Sequence, residues 1–321
     1  MSARKGTPSL KNYLCPACGG RLWLEAAEVR SETGQAYRLL RCASCGIRRL
    51  DCHLESAELK SIYGDNYYSQ NVMSAPSFRT RVRSYMSSCP VSVVGTLYRR
   101  LSTTWLPVPQ PGRNRLLDVG CGDGAAMHAA SRLGWLAEGC EVSDEACASA
   151  RLRGFHCYGG DWERQLPRDS FDFVLLSHVL EHLEDPVMVL RSLRDALRRG
   201  GTLLVAVPNS DGSLGRTFGE AWLANPAPEH IWHFEYAQLR RIVEEAGYVV
   251  RGVRRQPVFS GTLAPHVLRR QWEYAAGQGW PRRRIAGAFV RLAFRYGTSL
   301  LGQHRSPVGE GYSFALECQA I

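Results

Sequence analysis

The sequence predicts an α/β fold, a mostly parallel sheet flanked on both sides by helices, behind a small cysteine-bearing module. Three observations predict it. From residue 113 onward short apolar runs alternate with helical segments, the pattern of a parallel sheet with crossover helices. The first of those runs passes into a helix through Gly120-Cys-Gly122-Asp-Gly124, a turn that lets a ligand approach backbone that side chains would otherwise block. Near the N-terminus stand two C-x2-C pairs.

The pairs come first in the chain. Cys15-Pro-Ala-Cys18 and Cys42-Ala-Ser-Cys45 are separated by 23 residues, and each is followed by a glycine. Two tight turns offering two thiolates each supply the four soft ligands of tetrahedral zinc. Leu22 to Leu24 and Tyr37 to Leu40 read as the strands between them. Residues 1–54 are therefore expected to be a zinc ribbon, held folded by its metal, with Cys15, Cys18, Cys42 and Cys45 as ligands. Free thiols in a small hairpin are the plainer alternative. Cys52 and His53 follow closely, but four cysteines complete a site, so these two are read as incidental.

Residues 55–112 read as a helical linker or cap, rich in aromatics (Tyr63, Tyr67, Tyr68, Phe78, Tyr85, Tyr98) and closed by Pro107, Pro109, Pro111 and Gly112. The remainder, 113–321, opens with the strand Arg115–Val119, the glycine turn and a helix from Ala125 to Leu133. A second strand, Trp135 to Cys140, ends at Glu141. An acid there can accept both hydroxyls of an adenine nucleoside's ribose. Asp118 and Asp123 flank the turn and would repel phosphates, so the ligand is expected to carry an ammonium or sulfonium. Helices are expected at Glu145–Arg153, Val187–Arg199 and Tyr236–Ala246.

Taken as motifs, these stretches resemble the class I S-adenosylmethionine-dependent methyltransferases, small-molecule branch. LLDVGCGDG (Leu116 to Gly124) is similar to their first motif and Glu141 to their ribose-binding acid. Gly160-Asp161-Trp162 resembles the position against the adenine, FDFVLLSHVLEHLEDP (Phe171 to Pro186) the fourth strand and its turn, and GGTLLVAVPN (Gly200 to Asn209) the fifth. PEHIWHFEYAQLRRIVEEAGY (Pro228 to Tyr248) resembles the segment before strand six, and Tyr312 to Cys318 the last strand. The resemblance implies a Rossmann-like, seven-stranded, mostly parallel sheet and S-adenosyl-L-methionine as cofactor, held by Asp118, Gly120, Gly122, Glu141, Asp161, Trp162 and His178. The ribbon followed by YGDNYYS (Tyr63 to Ser69) resembles a subgroup tied to polysaccharide and natural-product methylation.

Methyl transfer needs alignment and, for a hydroxyl, amine or acidic carbon, a base. His178-Val-Leu-Glu181-His182 has the H-x-x-E-H spacing of certain zinc proteases, but its place after an internal strand argues against that chemistry. In ubiquinone-type O-methyltransferases the similar stretch carries acids where His178 and Glu181 stand and can hold a divalent cation. His178 breaks that pattern, so Glu181 and His182 are read as ordering the loop, with His178 beside the cofactor. His230 and His233 follow Asn225-Pro-Ala-Pro228 and are candidate bases. His230 is preferred, because Trp232 and Phe234 suggest that the following residues turn inward.

Composition narrows the function. The 321 residues carry a formal charge of +10, and 37 of the 40 basic residues are arginine. Between Arg251 and Arg305 there are eleven arginines and one acid, Glu273; the excess is local, which argues against a nucleic-acid surface. Segment 281–303 reads as a basic amphipathic helix, a candidate surface for an anionic substrate or a membrane face. No apolar run of eighteen residues occurs and the N-terminus is polar, so a cytoplasmic location is expected. Cys89, Cys140, Cys147, Cys157 and Cys318 are scattered and read as packing. The expected function is methyl transfer to a small molecule, possible acceptors including a sugar or natural-product intermediate. An rRNA methyltransferase is the alternative, although the N/D-P-P-Y signature of base methylators is absent, and a silent binding module is a third.

Overall fold

The computed structural model describes residues 13–31, 33–52, 106–255, 265–300 and 313–321. The aromatic-rich stretch expected to be a helical cap lies almost wholly outside the described residues, as do Tyr63 to Ser69, His53 and Cys89.

The large sheet contains β4 (Arg115–Val119), β5 (Leu136–Glu141), β6 (His156–Gly159), β7 (Phe171–Ser177), β8 (Leu197–Pro208), β10 (Tyr248–Arg255) and β11 (Ser313–Ala320). Its order is β10-β11-β8-β7-β4-β5-β6. The pairings β4 with β5 and β7, β5 with β6, and β7 with β8 are parallel. Only β11 runs against its neighbours on both sides. The expected seven-stranded, mostly parallel α/β sheet is what the chain forms.

The period-two alternation of the strands sorts the core into two faces. Leu117, Val119, Val174, Leu176, Leu203, Val205 and Val207 pack with α3 (Pro186–Ala196) and α5 (Tyr236–Glu245). Leu116, Phe173, Leu175, Leu204 and Ala206 pack the other way, with Ala130 of α1 (Ala125–Ser131) and Trp135. Both faces are covered, which is why β7 is buried along Phe171–Leu176.

Caps fix the helix starts. Ser143 accepts the Ala146 N–H at 3.2 Å to open α2 (Asp144–Leu152), and Asp185 accepts the Met188 N–H at 2.9 Å ahead of Pro186 in α3. The helix expected to run to Arg199 stops at Ala196, because β8 begins at Leu197, which pairs with Phe171. α4 (Ser213–Phe218), α6 (Pro265–Gly277) and α7 (Arg282–Leu300) form a separate aromatic cluster around Phe218, Trp222, Trp280 and Phe289. The basic segment is thus a helix, and its apolar residues Ile285, Ala288 and Leu292 pack into that cluster while Val290 and Phe294 face outward. Among the described residues no helix is long and apolar enough to cross a membrane.

The second sheet has four strands, β1-β2-β3-β9. β1 (Trp23–Arg30), β2 (Ala36–Cys42) and β3 (Arg48–Leu50) come from the cysteine-bearing segment. β9 (Trp232–His233) lies about 180 residues further along the chain and pairs antiparallel with β3.

Candidate active site

The cysteines come together as the spacing predicts. Cys15 and Cys45 sulfurs are 3.5 Å apart, Cys18 and Cys42 sulfurs 3.6 Å, and all four ligand atoms lie within 4.8 Å of one another. Four thiolates at about 2.3 Å from zinc would be about 3.8 Å apart, so the set fits the ion. Each knuckle is a turn closed on its first cysteine's carbonyl, by the Gly19 N–H at 2.8 Å and the Gly46 N–H at 2.9 Å.

The cofactor-side residues converge at the carboxyl ends of β4 and β5. Gly120 has φ +69°, and a Cβ there would stand 2.5 Å from Val179 Cγ2, so only glycine fits where the loop meets the turn after β7. The Gly120 and Cys121 N–H groups donate to the Cys140 carbonyl at 2.8 and 3.0 Å. Glu141, 3% exposed, receives the Gly122 N–H at 2.9 Å on Oε2, and those of Val142 and Ser143 at 2.8 and 3.0 Å on Oε1. One carboxylate therefore ties the glycine loop to the end of β5.

Asp118 is buried beneath the loop, and its carboxyl is pushed up to about 7, by burial first and then by the charges of Glu141 and Cys157. A cationic ligand beside it would favour the charged form. Asp123 is not a free charge, since Arg153 pairs with it at 2.5 Å. Asp161 is exposed at the rim, whereas Trp162 is buried in the main core. The Cys121 and Cys157 thiols meet at 3.7 Å under the same loop, a contact between residues too far apart in sequence to be read as a pair.

The histidines converge beside this loop. His178 ends β7 in the left-handed region, φ +56°, with its N–H on the Ala206 carbonyl at 2.9 Å. Its Nδ1 stands 3.4 Å from Glu181 Oε1. Glu181 is fully buried, and among the described residues neither carboxylate oxygen has a hydrogen-bond partner. Burial works against its charge, but the approach of His178 and the fields of His182 and His230 outweigh it and hold the carboxyl down at about 2.

His182 Nδ1 donates to the Glu229 carbonyl at 2.7 Å, and its ring meets that of His230 edge to face with centroids 4.5 Å apart. His230 is pushed down to about 3, by burial first and then by His182, against the opposing pull of Glu181. Its Nδ1 is buried and has no hydrogen-bond partner among the described residues. Glu181, His182 and His230 each offer a ligand atom within 4.8 Å of the others, a spacing that a divalent cation could bridge. His233 does not join them. It is 1% exposed in β9, opposite Arg48 of β3, and burial holds it well below the usual histidine range.

Residues 92–253 match the family described as "Methyltransferase domain". Over 152 residues the chain is 29% identical to the ubiquinone biosynthesis O-methyltransferase of Aeromonas salmonicida, covering 43% of this chain and 63% of that protein. Against the same enzyme of Xanthomonas campestris pv. campestris (strain B100) it is 30% identical over 146 residues, covering 42% and 61%. The chain thus spans about six tenths of the length of these relatives. A crystal structure of a SAM-dependent methyltransferase from Archaeoglobus fulgidus overlays with a TM-score of 0.48 at 16% identity, over 79% of this chain and all of that one. The family match spans the glycine loop, Glu141 and the histidine turn, and the chain belongs to the S-adenosylmethionine-dependent methyltransferases.

Proposed function

We propose that the protein transfers the methyl group of S-adenosylmethionine to a hydroxyl of a small molecule, such as a sugar or a natural-product intermediate, with His230 as the base. The observation that carries this reading is the meeting of Glu181, His182 and His230 beside the glycine loop. Asp118, Gly120, Gly122, Glu141, Asp161, Trp162 and His178 are the residues assigned to the cofactor, and Cys15, Cys18, Cys42 and Cys45 to a structural zinc. The names of the two relatives, both O-methyltransferases, support a hydroxyl acceptor.

The cofactor supplies an electrophilic methyl on sulfur when bound. His230 Nδ1 takes the acceptor's proton as the acceptor oxygen attacks. The buried carboxylate of Glu181 compensates the charge that then forms on the imidazole. Val179, packed on Gly120, keeps the histidine turn at a fixed distance from the cofactor loop, the alignment that an in-line displacement requires.

Release of S-adenosylhomocysteine, with mass spectrometry of the product, tests this against panels of phenols, sugar nucleotides and rRNA transcripts. Methyl incorporation is expected among the small hydroxyl compounds; incorporation into RNA alone would overturn the reading. Elemental analysis tests the metal. About one zinc per chain is expected, lost in the Cys15→Ser/Cys42→Ser double variant together with protease resistance of the first fifty residues, while cofactor binding remains. A metal-free native protein would end the zinc assignment.

A further inference from the structure

Arg49 lies on β3, in the cysteine-bearing sheet, yet it is only 1% exposed. Its guanidinium carbon sits 4.7 Å from the centroid of the Tyr13 ring and 5.2 Å from that of Trp232. It pairs with the Glu184 carboxylate, while Nε and Nη1 have no hydrogen-bond partner among the described residues. A guanidinium buried with donors unused is costly, and an apolar side chain would fill the same space at less cost. What an apolar side chain would not do is join the two segments that Arg49 joins.

Both segments lead to the histidine pair. Glu184 lies two residues beyond His182, and its carbonyl accepts the Tyr13 hydroxyl at 3.2 Å. Trp232 lies two residues beyond His230, and its indole N–H donates to the Leu183 carbonyl at 2.8 Å. The Leu50 N–H donates to the Ile231 carbonyl at 2.9 Å, and Arg49 and Trp232 are register partners in the β3–β9 pairing. Tyr13, Trp23 and Trp232 form a cluster with ring centroids 6.1 to 6.3 Å apart, and the guanidinium lies over two of the three, Tyr13 and Trp232. Tyr13 stands beside it and spans the same two segments, its hydroxyl on the Glu184 carbonyl and its ring against Trp232; Arg49 is the charged member of the pair, the one that engages the Glu184 carboxylate.

We propose that Arg49 is a positioning residue: through Glu184 and Trp232 it holds the His182 turn against the His230 loop, so that the cysteine module supports the acceptor side of the site. The catalytic consequence rests on the reading of His230 as base; the clamp itself rests on the contacts. It accounts for the shared sheet, since a module that served only its own stability would have no use for a strand borrowed from residues 232 and 233.

The test uses full-length protein with S-adenosylhomocysteine bound and compares R49M, R49K and E184Q with the unaltered chain. Two signals report the clamp: the ring-current displacement of the His182 and His230 ring-proton resonances, which the edge-to-face contact produces, and hydrogen exchange of the amides in 229–233. In R49M the displaced resonances should move to ordinary histidine positions and those amides should exchange about tenfold faster or more, with S-adenosylhomocysteine affinity within about twofold. R49K, which keeps the charge but not the planar fork, should restore part of both signals. E184Q keeps the shape of the side chain but not its charge and should shift both in the R49M direction, and it decides the matter if R49M fails to hold cofactor. Unchanged histidine resonances and exchange in R49M and E184Q would overturn the proposal. Should both signals change while His230→Ala leaves turnover intact, the base assignment has failed and the clamp stands.

Discussion

His230→Ala should lower turnover at least about a hundredfold, the lower end of what a positioned base contributes, and leave affinity for S-adenosylmethionine unchanged. Among the described residues Nδ1 of His230 has no hydrogen-bond partner, so no bond within the protein has to break before it takes a proton. Because the ring is held down at about 3, it is neutral and competent across the ordinary range. The pH–rate profile should therefore show no loss of rate between about pH 8 and pH 5 from protonation of this base. A base held that low is weak on its own. The opposing pull of Glu181 is already contained in that low value; without it the ring would be a weaker base still.

Initial rates and calorimetry on the same preparation separate the alternatives. A loss under about threefold would mean an acceptor that needs no base. His233 could not take over, because it lies in β9 opposite Arg48, 1% exposed and outside the group formed by Glu181, His182 and His230. An equal loss of cofactor binding would instead mark His230 as a pin of its loop.

What could be read from the sequence was what lies close together along it. The glycine turn, Glu141 and the four cysteines each declare themselves within a few residues, and the apolar periodicity placed the strands between them. The pairing of β3 with β9 could not be read, since a two-residue strand has no periodicity and its partner lies far along the chain. The same holds for the meeting of His182 with His230 and of Cys121 with Cys157, which depends on where the carboxyl ends of the strands bring their loops.

Arg49 was hidden for another reason. An arginine that directly follows another, Arg48, reads as a solvated charge, and only the rings of Tyr13 and Trp232 show otherwise. Trp162 is the converse. The resemblance puts it against the adenine, and its ring is buried in the main core.

Glu141→Ala should weaken S-adenosylmethionine binding at least about tenfold, from the loss of charge-assisted hydrogen bonds to the ribose, each worth about 1.5 to 3 kcal/mol. The structure adds a second effect to this one. The carboxylate already receives the N–H groups of Gly122, Val142 and Ser143, and alanine would leave three donors around a nearly buried position without it. An orphaned buried donor costs about 1 to 3 kcal/mol, so the thermal midpoint of the cofactor-free protein should fall as well.

Glu141→Gln separates the two. It keeps the shape and one acceptor oxygen, but its NH2 group faces N–H groups that have nothing to donate to. Affinity should fall to a similar extent while the midpoint falls less than in the alanine variant. Calorimetric titration well below each variant's midpoint, beside thermal unfolding without ligand, gives both numbers. Unchanged affinity in the glutamine variant would mean that Glu141 serves only the glycine loop and that the ribose is held elsewhere. Lost affinity with an unchanged midpoint would mean that the three N–H groups find water when the carboxylate is gone, leaving the ribose as its principal partner.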